Sequence, residues 1–580
     1  MTKEDKSIPL NSLAGCKWWD IVVSESPVVE SAPSLDSAMD LYEETLFAFE
    51  QLMKKDTEQQ WLRKVAISGT HSDQINALVT LTQMCPVLGM PHIRQLLILA
   101  QTKANRVIQP ALAALKKLLV EELLPTNRKL SFFADQKPSK KGALPHKSSV
   151  LMWYFEDFLK KTMATFVQLL FDAQSSPIEA IRTSCVDFSF DILTTYKGAG
   201  VHGEQEKPML KILVKGMGDK AEKRVSAKAA LLVVKLAQRR THLKEEIIEE
   251  VREQHLVGGL KTDSAVDANS CYSRGINMAL SMFTTFPLHP QDDAFVAGKL
   301  VGILSQFVND LIKKKQDRDR KRKLQTSCGL SEADAKLLRL CLKALETAFA
   351  AAGSDCPIPE TTNALLLKLS HETHVAGLSV AILNFLNRIS KELKLDSPKL
   401  VRAIFAQAGN MSVYLGSAQL AWLLSLVKDS VLDDSFSKET TKNAFRRRLM
   451  QLGACVSEPS VLPVVMALTE PKQLEIDLIK AKEDEEDSMG EDKFGYNAGF
   501  WDPLQANPEA ETRLWERHLL KHHFEQTVRV AADSVPVEVP EEAKSLTQLL
   551  VDVSTMQLEQ GKKKRKTEDL DDVEIPIPGL

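Results

Sequence analysis

The residues best equipped for chemistry in this chain are cations. Lys313, Lys314, Lys315, Arg318, Arg320, Lys321, Arg322 and Lys323 set eight positive charges against Asp317 and Asp319 within eleven positions. Such a run either holds phosphates through salt-dependent contacts that carry little base information or is a solvated loop between helices. We expect a loop that adds affinity for RNA without sequence preference. Lys562, Lys563, Lys564, Arg565 and Lys566 form a second run in a polar C-terminal tail, the pattern of a nuclear-localisation signal. Lys442, Arg446, Arg447 and Arg448 form a third cluster along one side of a helix.

Other groupings fall short of a reaction. His371-Glu372-Thr373-His374 is one residue short of a zinc-protease motif and misplaces its glutamate. His518, His522 and His523 could meet on a metal, but no third ligand is evident in sequence. Gly198, Gly200 and Gly203 carry the spacing of a dinucleotide fingerprint. That motif needs a strand before it, and FDILTTY reads as the end of a helix. The eight cysteines form no CxxC pair and mostly occupy apolar helical runs. We therefore expect no catalytic residue, no metal, no cofactor and no small-molecule substrate.

The elements that carry these residues read as helices. In Leu210–Ala237, Leu210, Leu213 and Val214 give one apolar face; Gly216, Gly218 and Asp219 interrupt it. Val225, Ala229, Leu232, Val233 and Leu236 then give a second face. The same unit of helix, polar turn and Ala/Leu-rich helix recurs at Leu96–Leu119, Leu169–Leu193 and Leu365–Ile389. One such pair cannot cover its own apolar face, so pairs must stack. The predicted fold is all-α, a HEAT/armadillo-like α-solenoid with a C-terminal extended clasp.

Composition agrees. The chain has 580 residues, 44% hydrophobic and 6% aromatic, with a net charge of −3. Bulk charge does not mark a nucleic-acid binder, so such contacts must be local. No signal core or run of about 18–20 apolar residues is evident, and we expect an intracellular protein without a membrane. The predicted organisation is a flexible tail over residues 1–40 and helical repeats over 41–480, with basic loops near 136–149 and 313–323. An acidic linker at 481–493, an aromatic segment at 494–530 packed on the last repeats, and a polar tail at 531–580 follow. Trp18 and Trp19 could dock from the first tail.

Four stretches occur in order: SGTHSDQINAL at 68–78, LLPTNRKLSFFADQ at 123–136, WYFEDFLKK at 153–161 and LVKGMGDKAEKRVSAKA at 213–229. Trp501-Asp502-Pro503, Asn507-Pro508, Leu514-Trp515-Glu516, His523-Phe524 and Thr527-Val528 follow near the C-terminus. Together they resemble the CCAAT-binding-factor domain family, from about residue 60 to about residue 530. Two departures stand out: Leu504, Gln505 and Ala506 lie where the family carries basic residues, and Glu525-Gln526 replaces His-Pro. The resemblance implies a non-catalytic nucleolar scaffold in early large-subunit (pre-60S) assembly and rRNA processing. It implies as partners a nucleolar complex protein 2 homologue, pre-60S assembly factors and pre-rRNA. Trp153, Phe155, Asp219, Trp501, Asp502, Pro503, Trp515 and Phe524 are the expected structural or partner anchors. The competing readings are a CCAAT-box transcriptional regulator, for which no groove-reading element is evident, and a HEAT-type transport adaptor.

Overall fold

The computed structural model describes residues 17–20, 33–54, 57–102, 104–137, 145–196, 201–257, 274–321, 332–353, 358–372, 376–393, 397–414, 417–433, 438–453, 461–469, 502–505, 515–534, 537 and 545–551. The chain divides into two compact units, Met1–His289 and Pro290–Leu580. Both are helical, with no strand among the described residues. Each is a stack of antiparallel helix pairs, the α-solenoid arrangement.

The first unit contains α1 (Leu35–Met53), α2 (Thr57–Ser68), α3 (His71–Met84), α4 (Met90–Ala100), α5 (Asn105–Leu118) and α6 (Lys147–Ala173). It continues with α7 (Glu179–Thr195), α8 (Glu206–Gly216), α9 (Lys223–Arg239), α10 (Lys244–Val251) and α11 (Arg274–Phe283). Two rows result. One runs α4, α6, α8, α10; the other runs α3, α5, α7, α9, α11, and successive members touch. Local chemistry sets the boundaries. Thr70 caps α3 by accepting the Asp73 N–H at 3.3 Å. The α8–α9 turn is tied by Asp219, whose Oδ1 accepts the N–H groups of Ala221 and Glu222, each at 2.9 Å. Apolar residues at helical spacing form the core between the rows, among them Leu112, Ile192, Leu213, Val233 and Leu280.

The second unit contains α12 (Ala294–Lys321), α13 (Glu332–Ala352), α14 (Glu360–Glu372), α15 (Ala376–Glu392), α16 (Pro398–Ala408) and α17 (Met411–Tyr414). After these come α18 (Ser417–Val427), α19 (Glu439–Gly453), α20 (Leu462–Thr469), α21 (Trp515–Leu520) and α22 (Gln526–Asp533). Here α12, α14, α16 and α19 form one row, and α13, α15 and α18 the other. Ser397 caps α16, with Pro398 opening the helix.

Several expectations need correction. Helices begin at Leu35, not near Leu41. Lys147 already opens α6, so the loop expected to run to 149 ends earlier; residues 138–144 lie outside the described residues. The run expected as a loop at 313–323 is helical as far as Lys321 and forms the last turns of α12. Lys, Arg and Gln are good helix formers, and the apolar face before them has already nucleated the helix. Within the aromatic segment expected at 494–530, the described residues hold two short helices, broken at Lys521–Glu525. Ala294–Lys314 is long and apolar enough to span a membrane, contrary to the absence of such a run in the sequence reading. Packing explains its composition, since 56% of the apolar 18-residue window within it is buried in the protein.

Candidate functional site

In the first unit, α6 clamps the irregular stretch 124–137. Glu156 is the centre. Its carboxylate is buried, pairs with Arg128, and accepts the Ser131 N–H at 2.7 Å and the Gln136 side chain at 2.9 Å. Asp157 accepts the Phe133 N–H at 3.3 Å. Lys160 donates to the Leu130 carbonyl at 2.6 Å and lies 4.5 Å from the Phe132 ring centre. A buried carboxylate is tolerated only when its oxygens are occupied, and here three donors occupy Glu156. The motifs at 123–136 and 153–161 are thus one structure seen from two places in the sequence.

Trp18 completes this clamp. It is 3% exposed. Its indole N–H donates to the Leu123 carbonyl at 2.9 Å, and its ring meets Phe155 edge to face at 5.5 Å. Residues 17–20 are therefore docked within the tail expected over 1–40, by the tryptophan that the sequence offered for it. Phe155 is fully buried. Trp153 is half-buried, edge to face with Phe133 at 6.3 Å.

Asp219 joins two neighbouring turns. Its Oδ2 accepts from Arg182 Nε at 2.6 Å, while Arg182 Nη1 donates to the carbonyls of Ser176 and Pro177, each at 2.8 Å. Its backbone carbonyl accepts from Arg274 Nη1 at 3.0 Å. Burial pushes the Asp219 carboxyl up. The Glu222 N–H and the Arg182 guanidinium outweigh it and hold the pKa below the ordinary 3.8.

One cluster among the described residues has metal-ligand character: His202, Glu206 and His242. Sequence inspection missed it because its members come from different elements. Arg240 already occupies it. Arg240 Nη2 lies 2.7 Å from Glu206 Oε1 and 3.3 Å from His242 Nε2, and the Gly203 N–H donates to the same carboxylate oxygen at 2.6 Å. A buried guanidinium engaging two of the three donor groups makes this a closed ionic network.

In the second unit, Pro503–Gln505 forms a short 3-10 turn against α16 and α19, with Pro503 buried. Asp502 accepts both forks of Arg402 on α16, at 3.1 and 3.0 Å. That hydrogen-bonded guanidinium, more than the opposing desolvation, lowers the Asp502 pKa. Below this contact, Phe405 and Phe445 meet edge to face at 5.1 Å, and Arg448 lies over Phe405. Arg448 also presses on Gly409, where an added Cβ would come within 2.3 Å of Nη2. Ser379 donates to Gln407 Oε1 at 3.1 Å, and Gln407 Nε2 donates to the Ser370 carbonyl at 2.9 Å.

Farther along, α22 packs on α20 and α21 touches α19. Phe524, expected as a structural or partner anchor, is 75% exposed, and Leu519 is 60% exposed. His518 and His522 lie edge to face at 6.0 Å, both exposed. Trp515 opens α21, and its side chain lies outside the described residues, as do Trp501, Arg322, Lys323 and the run Lys562–Lys566. Lys313 is exposed and Lys314 half-buried on α12; Lys315, Arg318, Arg320 and Lys321 occupy its last turns.

Comparison with known families reaches the stretch from α15 to α22, which carries the C-terminal motifs. Residues 379–532 match the CBF/Mak21 family. The CBF/Mak21 segment contains the Arg402–Asp502 pair, the Phe405–Phe445 contact and the two terminal helices. Human CCAAT/enhancer-binding protein zeta is 24% identical over 83% of this chain and 43% of its own length. Ribosome biogenesis protein NOC1 of Chaetomium thermophilum is 24% identical over 85% of this chain and 51% of its own. Protein SLOW WALKER 2 of Arabidopsis thaliana is 24% identical over 66% of this chain and 37% of its own. The chain spans about half the length of the curated relatives it matches. Among solved structures, importin beta overlays with a TM-score of 0.32 at 10% identity, over 75% of this chain and 60% of that one. An engineered protein overlays with a TM-score of 0.29 at 14% identity, over 86% and 98%. Overlays this distant carry no argument.

Proposed function

We propose that this chain is a non-catalytic, nuclear scaffold in assembly of the large ribosomal subunit. The observation that carries the reading is the joint match to the CBF/Mak21 family and, over 85% of the chain, to a relative named as a ribosome biogenesis protein. Helix stacks suit the role, because they offer long surfaces to several partners without enclosing a reaction chamber. In this reading the protein acts in the nucleolus on early pre-60S particles, with a nucleolar complex protein 2 homologue and pre-rRNA as partners. The basic end of α12 supplies phosphate contacts, and Lys562–Lys566 supplies the import signal.

Two relatives named CCAAT/enhancer-binding protein zeta favour a second reading, a transcriptional regulator. Crosslinking of the tagged full chain in cells, with sequencing of the bound nucleic acid, separates the two. Enrichment of large-subunit pre-rRNA is expected. Enrichment of promoter DNA instead would favour the regulator and defeat the scaffold.

A further inference from the structure

Helix α9 carries five cations, Lys223, Arg224, Lys228, Lys235 and Arg239, and no acidic residue. The chain as a whole balances 74 basic residues with 77 acidic ones, so this helix departs sharply from its surroundings. The charges are also ordered. Lys220, in the turn before the helix, is followed by Arg224, Lys228, Leu231, Lys235 and Arg239 at steps of four or three. That spacing puts them on one side of the helix. All are exposed except Lys228, which is half-exposed. The opposite side, through Val225, Ala229, Leu232, Val233 and Leu236, is buried.

This arrangement works against the helix that bears it. Lys223 and Arg224 sit at the N-terminal end, where the helix dipole disfavours cations. Like charges at i, i+4 repel by about 0.2–0.5 kcal/mol per pair. Neighbouring elements offer limited relief. Asp187 on α7 reaches Lys228 at 2.6 Å, and the Phe190 ring lies beneath Arg239 at 5.4 Å. Asp219 is taken by Arg182. Lys220, Arg224 and Lys235 make no ion pair among the described residues.

We propose that this exposed edge of α9 is a docking surface for the phosphate backbone of RNA. Its 17 residues span about 25 Å at 1.5 Å per residue, enough for several consecutive phosphates. Charge complementarity alone would admit an acidic protein. The makeup of the stripe favours nucleic acid: protein interfaces centre on aromatic anchors and are depleted in lysine, and this edge holds lysines, arginines and one exposed aliphatic, Leu231 at 54%. It uses none of the residues at the basic end of α12. The proposal rests on the RNA-contacting scaffold reading and deepens it.

The test uses the full chain carrying Lys220→Ala, Arg224→Ala and Lys235→Ala together. A labelled 20-nucleotide poly(U) RNA is titrated by fluorescence anisotropy across a salt series. Single-stranded contacts contribute about 0.7 each to the salt slope, so losing three lowers it by about 2, or about a hundredfold in affinity at 0.1 M salt. A control with Lys207→Ala and Lys211→Ala on α8 should bind as the unmodified chain does. Circular dichroism melts of all three proteins should coincide, because the altered side chains are exposed. Unchanged affinity and slope in the α9 variant overturn the proposal, as does equal loss in the α8 control. Loss of binding to a poly-Glu peptide with RNA binding intact overturns it in favour of an acidic protein partner. If the unmodified chain fails to bind the RNA, this proposal falls, whereas the ribosomal reading stands or falls on the crosslinked species in cells.

Discussion

Trp18 and Glu156 hold the first unit's irregular stretch in place by different physics. Trp18 contributes apolar area and one hydrogen bond; Glu156 contributes a buried charge met by several donors. Replacing Trp18 by Ala removes the edge-to-face contact on Phe155 and frees residues 17–20. Core Trp and Phe deletions cost about 3–5 kcal/mol, and the recovered freedom of the chain offsets part of that. We predict a loss of about 2 kcal/mol, measured as a lower urea midpoint at unchanged slope. Glu156→Gln should cost more, because Arg128 then loses its counter-charge; an equal or smaller loss would contradict the clamp. Histidines add a pH dependence. Burial lowers the His92 pKa from 6.5 to about 4, and burial also lowers that of His255, whose ring packs against Gly218 and Gly275. Groups with depressed folded pKa values stabilise fully above the unfolded value and lose that contribution as pH falls. The melting temperature should therefore drop as pH falls from 6.5 towards 4, and His92→Gln should flatten the drop. None of these roles could be read from sequence. Trp18 had been recognised as a candidate for docking, but its partner is 105 residues away, and periodicity carries no information at that range.

Helices were the legible part. Amphipathic spacing located the turn of the α8–α9 pair, since Gly216, Gly218 and Asp219 leave the helical pattern just where the chain turns. Legibility failed where polar residues continued a helix already nucleated, as at Lys313–Lys321, and where a helix broke without glycine or proline, as at Lys521–Glu525. The CBF/Mak21 segment shows a third limit: its motif named Asp502 and Pro503, but Arg402 lies 100 residues earlier. We predict that this pair governs attachment of the segment and not the stability of the unit. Asp502→Asn in the full chain should leave the thermal melt nearly unchanged, since exposed pairs contribute little globally. It should accelerate proteolytic cleavage between residues 494 and 510. Cleavage at the unmodified rate would show that the buried Pro503 suffices.

For the whole molecule, the proposed import is most open to a direct test. Replacing Lys562–Lys566 by alanine should shift a fluorescent fusion from nucleus towards cytoplasm; unchanged nuclear accumulation would remove the run from the import pathway. Such a protein also has a history, because it is made from one end. Trp18 leaves the ribosome 105 residues before Leu123, its hydrogen-bond partner. At about 5–20 residues per second, that is about 5–20 s with no site to occupy. During that interval the nascent chain presents a tryptophan that in the finished protein is 3% exposed. The first unit therefore cannot close from its N-terminus inward; Trp18 must return to helices made after it.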